Sequence, residues 1–423
     1  MRLVIFFADM LRANRLFVDD EASTHDGLEK LLESVGGTFF SNCITPGPDT
    51  PRSTGIFFTG ELPKVSGVNA RSKWPGPYLE PLKTTLFSWA LSKEIPIKII
   101  DKSINHSGLF FPQEVQMKAE FFPSLDSLRA AEEQGNTGKL EIIFIVNKTY
   151  HKVVDDRYAH KSSHKPGAEL IAAELQEVIS DLQLGPGDQL ILYSDHGCKL
   201  SDDSFDEYSL MDRDRSQFVF FHSQFTEPKV TFDNTLFSMV DLHLIISGLI
   251  QSLTFTGETG ANGMLELPEA REMVHVEDHE AYSTKIGDVV RKWAVFSKDF
   301  EYFESLGKNP VVRFHVPSDQ ETWLNAVSLS QDYLSKYASN YSDLNFQFDS
   351  LANGISVIPE ESLKFWQENS PLKESLRSPK RFLWRVATLH TSLTRRIYPR
   401  LLDFAKRPSR TVSKSGSRQS VET

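Results

Sequence analysis

Cysteine is almost absent from this chain, with only Cys43 and Cys198 in 423 residues. Two cysteines build no disulfide framework, complete no zinc cluster and form no CxxC pair. No run approaches the roughly 18 apolar residues that a membrane-spanning helix needs. The apolar start at residues 1–7 is too short for a signal-peptide core and leads directly into an acid. We therefore expect a globular, cytoplasmic protein.

Motifs for nucleic-acid binding are missing as well. The sequence contains no zinc-finger, RNP or P-loop pattern. The net charge is −11, but residues 371–423 carry 13 Lys and Arg against 3 Asp and Glu, which leaves −21 on residues 1–370. An acidic body of this size repels polyanions. We predict no nucleic-acid partner.

The basic C-terminal segment has the composition of a helix that lies on a membrane surface. Between residues 379 and 407, apolar side chains at steps of three and four alternate with arginines. Such a helix could bury its apolar face in an anionic bilayer, or dock that face on the acidic body. The first alternative predicts peripheral contact with the inner face of the membrane through residues 379–407. We expect residues 408–423 to be disordered either way.

Short apolar runs alternate with amphipathic segments through the first 270 residues. This alternation predicts an α/β fold, with a mostly parallel sheet and helices on both of its faces. The predicted strands are 2–8, 95–100, 140–146, 189–193 and 217–221, and the predicted helices are 26–35, 52–59, 82–92, 168–184 and 236–249. We predict four parts, namely the core (1–270), an antiparallel β subdomain (271–317), a helical extension (318–370) and a basic tail (371–423).

Two of the predicted strands end in acids. Residues 2–8 lead into Asp9, and residues 189–193 lead into Ser194, Asp195, His196 and Gly197. Ligands of open α/β sheets bind outside the carboxyl ends of the strands, so neighbouring strands would bring both acids into one crevice. Carboxylate and imidazole groups together suit a divalent cation. The alternatives are a helix N-cap at Asp9 and an ordinary turn at Asp195.

Four segments, in order along the chain, resemble the alkaline phosphatase superfamily, and in particular its sulfatase-like branch. They are the strand ending at Asp9, the segment 27–39, the segment ending in Phe58-Thr59-Gly60, and the strand end at 194–197. Residues 239–242 and Trp293 extend the resemblance, which spans about residues 1–305. It implies an alkaline-phosphatase-like core and a metal-dependent enzyme that acts on phosphate or sulfate esters.

The resemblance implies that Thr50 is the nucleophile. Thr50 lies nine positions before Thr59, where sulfatases of this family carry a modified Cys or Ser. Their formylglycine is made from Cys or Ser, and threonine cannot become it. A metal-bound threonine hydroxyl can attack phosphorus, as in phosphodiesterase-like and phosphoglycerol-transferase-like members. We therefore favour phosphate over sulfate esters, with Ser53 as the alternative nucleophile and Cys43 as a small core residue.

The resemblance also implies the residues around the nucleophile. It assigns Asp9, Thr50, Asp195 and His196 to a metal ion. The single acid and the imidazole favour zinc or manganese, with calcium and magnesium as alternatives. Two-metal members place an Asp and a His four apart after the third strand, where this chain has Asn147 and, as a catalytic residue, His151. Because an amide oxygen is a weak ligand, we expect one or two ions.

Further basic residues complete the predicted site. Arg52 could hold a nonbridging oxygen of the substrate through a bidentate fork, or form a surface ion pair. Lys102 and His106 match the family's substrate-binding Lys and His, although with wider spacing, and Arg215 could line the same crevice. His160 and His164 also lie four apart, but we interpret them as part of a solvated loop.

Three functions follow from these predictions. The first is hydrolysis or transfer of a small-molecule or glycan phosphate ester, with a role in surface glycan biosynthesis suggested by analogy with bacterial members of the family. The second is sulfate ester hydrolysis. The third is a degenerate member that binds a ligand or partner without turnover, and the single Asp9 and the neutral Asn147 support it.

Overall fold

The structure is a computed structural model, and its described residues all lie in one compact unit, Met1–Ile355. These residues are 1–18, 25–69, 74–79, 84–102, 107–132, 140–154, 164–198, 212–256, 265–279, 290–305, 310–315, 318 and 320–339. His106, His160 and the basic tail lie outside them, so the predictions made for these residues stay predictions.

The described strands form three sheets. In chain order they are β1 (Arg2–Ala8), β2 (Gly37–Phe40), β3 (Cys43–Ile44), β4 (Ile97–Asp101), β5 (Glu120–Phe122), β6 (Glu141–Asn147), β7 (Gln189–Tyr193), β8 (Phe220–Ser223), β9 (Val230–Asp233), β10 (Phe237–Ser238), β11 (Val274–His279), β12 (Val290–Phe296), β13 (Phe300–Ser305) and β14 (Val311–Phe314). The central sheet has eight strands in the order β5-β4-β6-β1-β7-β8-β2-β9. Only β8 runs antiparallel to its neighbours in that sheet. Strands β11 to β14 form a separate antiparallel sheet, and β3 pairs with β10.

The described helices cover both faces of the central sheet. They are α1 (Asp26–Val35), α2 (Thr50–Thr59), α3 (Pro63–Ser66), α4 (Pro75–Tyr78), α5 (Leu86–Ser92), α6 (Ser107–Phe110), α7 (Gln113–Lys118), α8 (Leu125–Glu132), α9 (Thr149–Val154), α10 (His164–Asp181), α11 (Arg213–Ser216), α12 (Met239–Thr256) and α13 (Gln320–Ser339). None of these helices has the length and apolar character needed to cross a membrane.

The alternation of side chains along β1 explains the two layers of the core. Leu3, Ile5 and Phe7 point to one face, where they join a cluster that includes residues of α2, α5 and α12. Val4 and Phe6 point to the other face, toward α1 and α10. A strand that is buried on both faces needs a continuous apolar run, which is what residues 3–8 supply.

The predicted α/β fold is confirmed, including the small antiparallel sheet within residues 271–317. Some element ends were predicted wrongly. The helix predicted over 82–92 begins at Leu86, because Thr85 and Ser88 form a capping box. The strand predicted over 217–221 runs from Phe220 to Ser223. The division of the chain into four parts stays a prediction.

Candidate metal centre and active site

The order of the strands brings the two predicted acids together. Strands β1 and β7 are parallel neighbours, with Phe7 opposite Tyr193, so both chains leave the sheet at the same edge. Asp9 and Asp195 follow directly, and each is almost completely buried. Asp9 is held at this edge because its backbone N–H donates to the carbonyl oxygen of Asn147, at the end of β6.

His196 presents a lone pair to the two carboxylates. Its Nδ1 lies 2.6 Å from the carbonyl oxygen of Gly197 and must donate to it, because a carbonyl only accepts. Burial and the nearby charge of Arg215 lower the pKa of His196 to about 3, so the ring is neutral. The Nε2 atom is therefore unprotonated, which is the form of histidine that binds metals.

Glycine is required after His196 because the chain passes close to another backbone segment. A Cβ at Gly197 would lie 2.0 Å from the carbonyl oxygen of Asp214. The Gly197 N–H also donates to the carbonyl oxygen of Arg215. This close approach fixes the loop that carries Asp195 and His196.

One oxygen of Asp195 is satisfied and the other is not. Its Oδ1 accepts from the backbone N–H groups of Met10 and His196, at 3.0 and 2.9 Å. Its Oδ2 is buried, has no hydrogen-bond partner among the described residues and lies 3.3 Å from His196 Nε2. Burial and the charge of Asp9 raise the pKa of Asp195 to about 7.

Thr50 lies between these groups. It is the first residue of α2, which begins after the capping residue Asp49 and continues through Pro51. The Thr50 hydroxyl donates to Asp9 Oδ1 at 3.3 Å. Thr50 Oγ1 also lies 3.4 Å from His196 Nε2. The hydroxyl that the resemblance assigned as the nucleophile is therefore in contact with two of the predicted metal ligands.

His151 approaches Asp9 from the solvent side. Its Nδ1 lies 2.7 Å from Asp9 Oδ2, and its side chain is 29% exposed. Burial raises the pKa of Asp9, but the attraction of His151, with smaller contributions from His196 and Lys148, outweighs burial and lowers it. The structure thus brings together Asp9, Thr50, His151, Asp195 and His196.

The Arg52 side chain bonds to other groups of the protein. Its guanidinium forms an ion pair with Asp49, at 2.5 Å, and donates to the carbonyl oxygen of Glu277 at 2.7 Å. The side chain is 3% exposed. Arg215, by contrast, is half-buried and donates to the carbonyl oxygen of Pro48, close enough to affect the pKa of His196. Arg52 joins α2 to the C-terminal sheet, whereas Arg215 lies beside the site.

Asn147 and Lys102 both contact Glu174, which lies on α10. The Asn147 amide donates to Glu174, and its Oδ1 accepts from the Thr149 backbone N–H at 2.8 Å. Lys102 is 64% exposed and forms a 3.0 Å ion pair with the same carboxylate. The metal-binding role of Asn147 and the substrate-binding role of Lys102 stay predictions.

Three other residues singled out in the sequence lie among the described residues. The Ser53 hydroxyl donates to the carbonyl oxygen of Gly47 at 2.6 Å and lies 2.7 Å from Thr45 Oγ1, so it is not presented to the metal ligands by these contacts. Cys43 is completely buried in the core. His164, which was predicted to lie in a solvated loop, is instead buried at the start of α10, and that prediction was wrong.

The sequence prediction missed Lys148. Its ammonium lies 4.4 Å from the centre of the Phe110 ring. Burial lowers the pKa of Lys148, although the nearby carboxylates of Asp9, Asp101 and Asp195 oppose that shift. The only signal in the sequence is its position directly after Asn147, at the end of a buried strand. Lys148 supplies positive charge beside the two acids of the site.

The donor set fits a divalent metal ion. One ligand atom each from Asp9, Asp195 and His196 lies within 4.8 Å of the others, and all three side chains are buried. Two carboxylates and a neutral imidazole are typical ligands of zinc and manganese. Asp195 Oδ2, when ionised, and the unprotonated His196 Nε2 would repel each other unless a proton or a cation lies between them. These residues would therefore hold such an ion.

Comparisons of the sequence found no matching family model and no matching curated protein. Solved structures do match. A phosphonate monoester hydrolase from Silicibacter pomeroyi has 13% identity and a TM-score of 0.54, and the match covers 79% of this chain and 95% of that one. The chain has a sulfatase-like fold.

Glycosaminoglycan sulfatases share this sulfatase-like fold. A 2-O glycosaminoglycan sulfatase is 11% identical with a TM-score of 0.54, and the match covers 81% of this chain and 92% of that one. A sulfatase from a glycosaminoglycan locus of Bacteroides thetaiotaomicron is 11% identical with a TM-score of 0.55, over 77% and 93% of the two chains. The fold expected from the four resembling segments is thus confirmed.

Proposed function

We propose that this protein is a metal-dependent hydrolase or transferase of phosphate esters in which Thr50 is the nucleophile. One observation carries the proposal: the Thr50 hydroxyl contacts Asp9 Oδ1 and His196 Nε2, at 3.3 and 3.4 Å. A serine or threonine hydroxyl is a weak nucleophile unless a neighbouring group or a metal activates it. The sulfatase-like fold supports an ester hydrolase, and the contacts in the site support Thr50 as its nucleophile.

Asp9, Asp195 and His196 would hold the activating ion, for which zinc or manganese is favoured. When bound, a divalent ion lowers the pKa of a coordinated hydroxyl and stabilises charge on the phosphoryl oxygens. We favour one bound ion over two, because the Asn147 amide contacts Glu174 and Lys148 already supplies a positive charge near Asp9.

The chain's own residues suggest how transfer proceeds. The Thr50 hydroxyl gives its proton to Asp9, whose Oδ1 accepts its hydrogen bond. The Thr50 oxygen then bonds to phosphorus as the bond to the leaving oxygen breaks. His151, which is partly exposed, can donate a proton to that leaving oxygen. The N-terminus of α2 at Thr50 favours the negative charge of the phosphoryl group. Water or another hydroxyl then takes the phosphoryl group from Thr50.

Sulfate ester hydrolysis is the second candidate, because several proteins with the same fold are glycosaminoglycan sulfatases. Their names also suggest a glycan as the substrate, in line with a role in surface glycan biosynthesis. Threonine at position 50 weighs against sulfate, since formylglycine arises from Cys or Ser. The third candidate, a binding protein without turnover, is supported by the amide at Asn147.

A panel of chromogenic esters distinguishes the three candidates. Purified protein is assayed with p-nitrophenyl phosphate, bis-p-nitrophenyl phosphate, p-nitrophenyl phenylphosphonate and p-nitrophenyl sulfate, each with zinc, manganese, magnesium and calcium. We expect turnover of a phosphorus ester that requires a metal and Thr50. Turnover of the sulfate alone would favour the second candidate. No turnover with any combination of ester and metal, together with no bound metal, would leave only the third candidate, a binding protein without turnover.

We further propose that residues 379–407 bring the protein to an anionic membrane surface. The support is the spacing of apolar and basic residues in that segment. The full chain and a variant ending at residue 378 are sedimented with vesicles of phosphatidylglycerol and phosphatidylcholine. We expect only the full chain to sediment. Equal sedimentation of both chains would contradict the proposal.

A further inference from the structure

A second buried polar cluster lies outside the proposed metal centre. It contains the rings of His25, Tyr150 and His164, whose centroids are 5.7 to 6.1 Å apart. All three side chains are at most 1% exposed. The charges of Arg12 and Arg15 act on both Tyr150 and His164, so both arginines are close to these rings. The cluster is unusual because it is buried yet rich in hydrogen-bond donors and positive charge.

The hydrogen bonds of Tyr150 fix the tautomer of His164. The Tyr150 hydroxyl accepts from the backbone N–H of Arg12 and contacts His164 Nδ1. The hydroxyl proton is then available to His164 Nδ1, which accepts it. Burial and the two arginines lower the pKa of His164 to about 3, so the ring is neutral and its remaining proton is on Nε2. This N–H is buried and has no hydrogen-bond partner among the described residues.

Arg15 adds a second unsatisfied donor. Its Nε is buried without a hydrogen-bond partner among the described residues. Arg12 differs, because it is completely buried and pairs with Asp214 at 2.7 Å. The acids Asp26 and Glu29 lie in the first turn of α1. A buried donor without a hydrogen-bond acceptor is energetically costly. The N–H groups of Arg15 Nε and His164 Nε2 are therefore expected to have an acceptor in a ligand.

Two helix N-termini converge on the same place. His25 is the N-cap of α1, without a capping bond from its side chain, and His164 is the first residue of α10. The first turn of α10 contains no acidic residue to complement the helix dipole. Free backbone N–H groups and the partial positive charge of a helix start both favour an anion.

We propose that Arg15, His164 and the start of α10 form a binding site for a small tetrahedral oxyanion, inorganic sulfate or phosphate. A guanidinium, an imidazole and a helix end would supply the donors, and a tetrahedral anion offers several acceptor oxygens to bind them. The site is separate from Thr50 and its metal ligands. An anion there would connect the loop after β1 with α10, and it takes no part in ester cleavage.

Calorimetric titration tests the site directly. Inorganic sulfate and inorganic phosphate are titrated separately into the full-length protein as purified. We expect saturable binding of at least one anion with one site per chain, and at least about tenfold weaker binding in Arg15→Gln and in His164→Gln. Arg15→Lys, which keeps the charge, should lose less. Asp195→Asn separates this site from the metal centre, where phosphate could also bind, and should keep one saturable anion site that Arg15→Gln weakens.

Two titration outcomes would overturn the proposal. One is the absence of saturable binding of either anion. The other is binding that Asp195→Asn abolishes and Arg15→Gln leaves intact, which would place the anion at the metal centre. Because His164→Gln could unfold the protein, crystals of the wild type are also soaked in selenate. An anomalous selenium peak within hydrogen-bond distance of His164 Nε2 or Arg15 Nε is expected, and a water there instead would overturn the site.

Discussion

The Nε2 atom of His196 lies 3.3 Å from Oδ2 of Asp195, and each atom presents a lone pair to the other. His196 cannot donate through Nε2, because its proton is on Nδ1 and bonds to the Gly197 carbonyl. A buried arrangement of two acceptors is unfavourable unless a proton or a cation lies between them. This pair is the main physical reason to place a metal ion next to Thr50.

The stability of the metal-free protein should depend on pH through Asp195. Its pKa is about 7 in the folded chain, against an ordinary value of 3.8. Between about pH 4 and pH 7 the folded state keeps a proton that the unfolded chain has lost, so the free energy of unfolding falls as the pH rises through this range. Each pKa unit corresponds to about 1.4 kcal/mol.

The matched variant for this effect is Asp195→Asn, which cannot ionise. Thermal unfolding of both proteins in chelator should show that the variant gains stability relative to the wild type as the pH rises from 4 to 7. Buried histidines titrate in both proteins and largely cancel in the difference. A difference in unfolding temperature that stays constant over this range would contradict the raised pKa.

Replacing Thr50 should stop the reaction without unfolding the protein. Thr50→Ala removes the attacking oxygen, and loss of a nucleophile typically costs on the order of 10³-fold or more in kcat. Thr50→Ser keeps a hydroxyl and should retain activity on the phosphorus ester. Rates are measured at saturating substrate with zinc or manganese. If Thr50→Ala kept most of the activity, a different residue would have to be the nucleophile.

Arg52 should act on stability. Because Asp49 and Arg52 form a buried ion pair, Arg52→Ala removes the cation from beside a buried carboxylate and should cost about 3 kcal/mol or more. The double variant Arg52→Ala with Asp49→Asn keeps a capping side chain at the start of α2 and removes the negative charge of Asp49. It should therefore recover part of the lost stability. Urea unfolding measures these differences. A stable Arg52→Ala with a raised KM would instead support the substrate-binding role predicted from the sequence.

A methyl group at Gly197 should disturb the metal loop. The Cβ of Gly197→Ala would lie 2.0 Å from the Asp214 carbonyl oxygen, so the loop must move, at a cost of about 1–3 kcal/mol. Metal affinity should fall with it. Gly248→Ala is the control, because nothing lies within 4 Å of its Cβ and alanine suits the interior of α12. Equal metal affinity in the two variants, measured by calorimetry, would be evidence against a constrained loop.

Local sequence was sufficient to predict β1, β7 and the groups at their ends. Residues 2–8 and 189–193 are continuous apolar runs, so their burial on both faces followed from composition, and Asp9 and Asp195 followed from their positions. That β1 and β7 are direct neighbours could not be read from composition and rested on the resemblance. The contact of Thr50 with Asp9 is consistent with the family spacing.

Contacts between distant residues explain what the sequence did not reveal. Arg52 is held partly by a carbonyl 225 residues away, at Glu277, so its burial has no local signal. The partner of Asn147 is Glu174, on a helix 27 residues further along the chain. His164 was predicted to be solvated because polar residues precede it, yet packing against Tyr150 buries it.

The central claim is that Asp9, Asp195 and His196 hold the ion that activates Thr50. Crystals grown with zinc or manganese, with anomalous data collected at the metal edge, test it most directly. We expect one ion about 2.0–2.3 Å from a carboxylate oxygen of each acid and from His196 Nε2, next to the Thr50 oxygen. With saturating metal, an anomalous map without a peak at these three residues would contradict it.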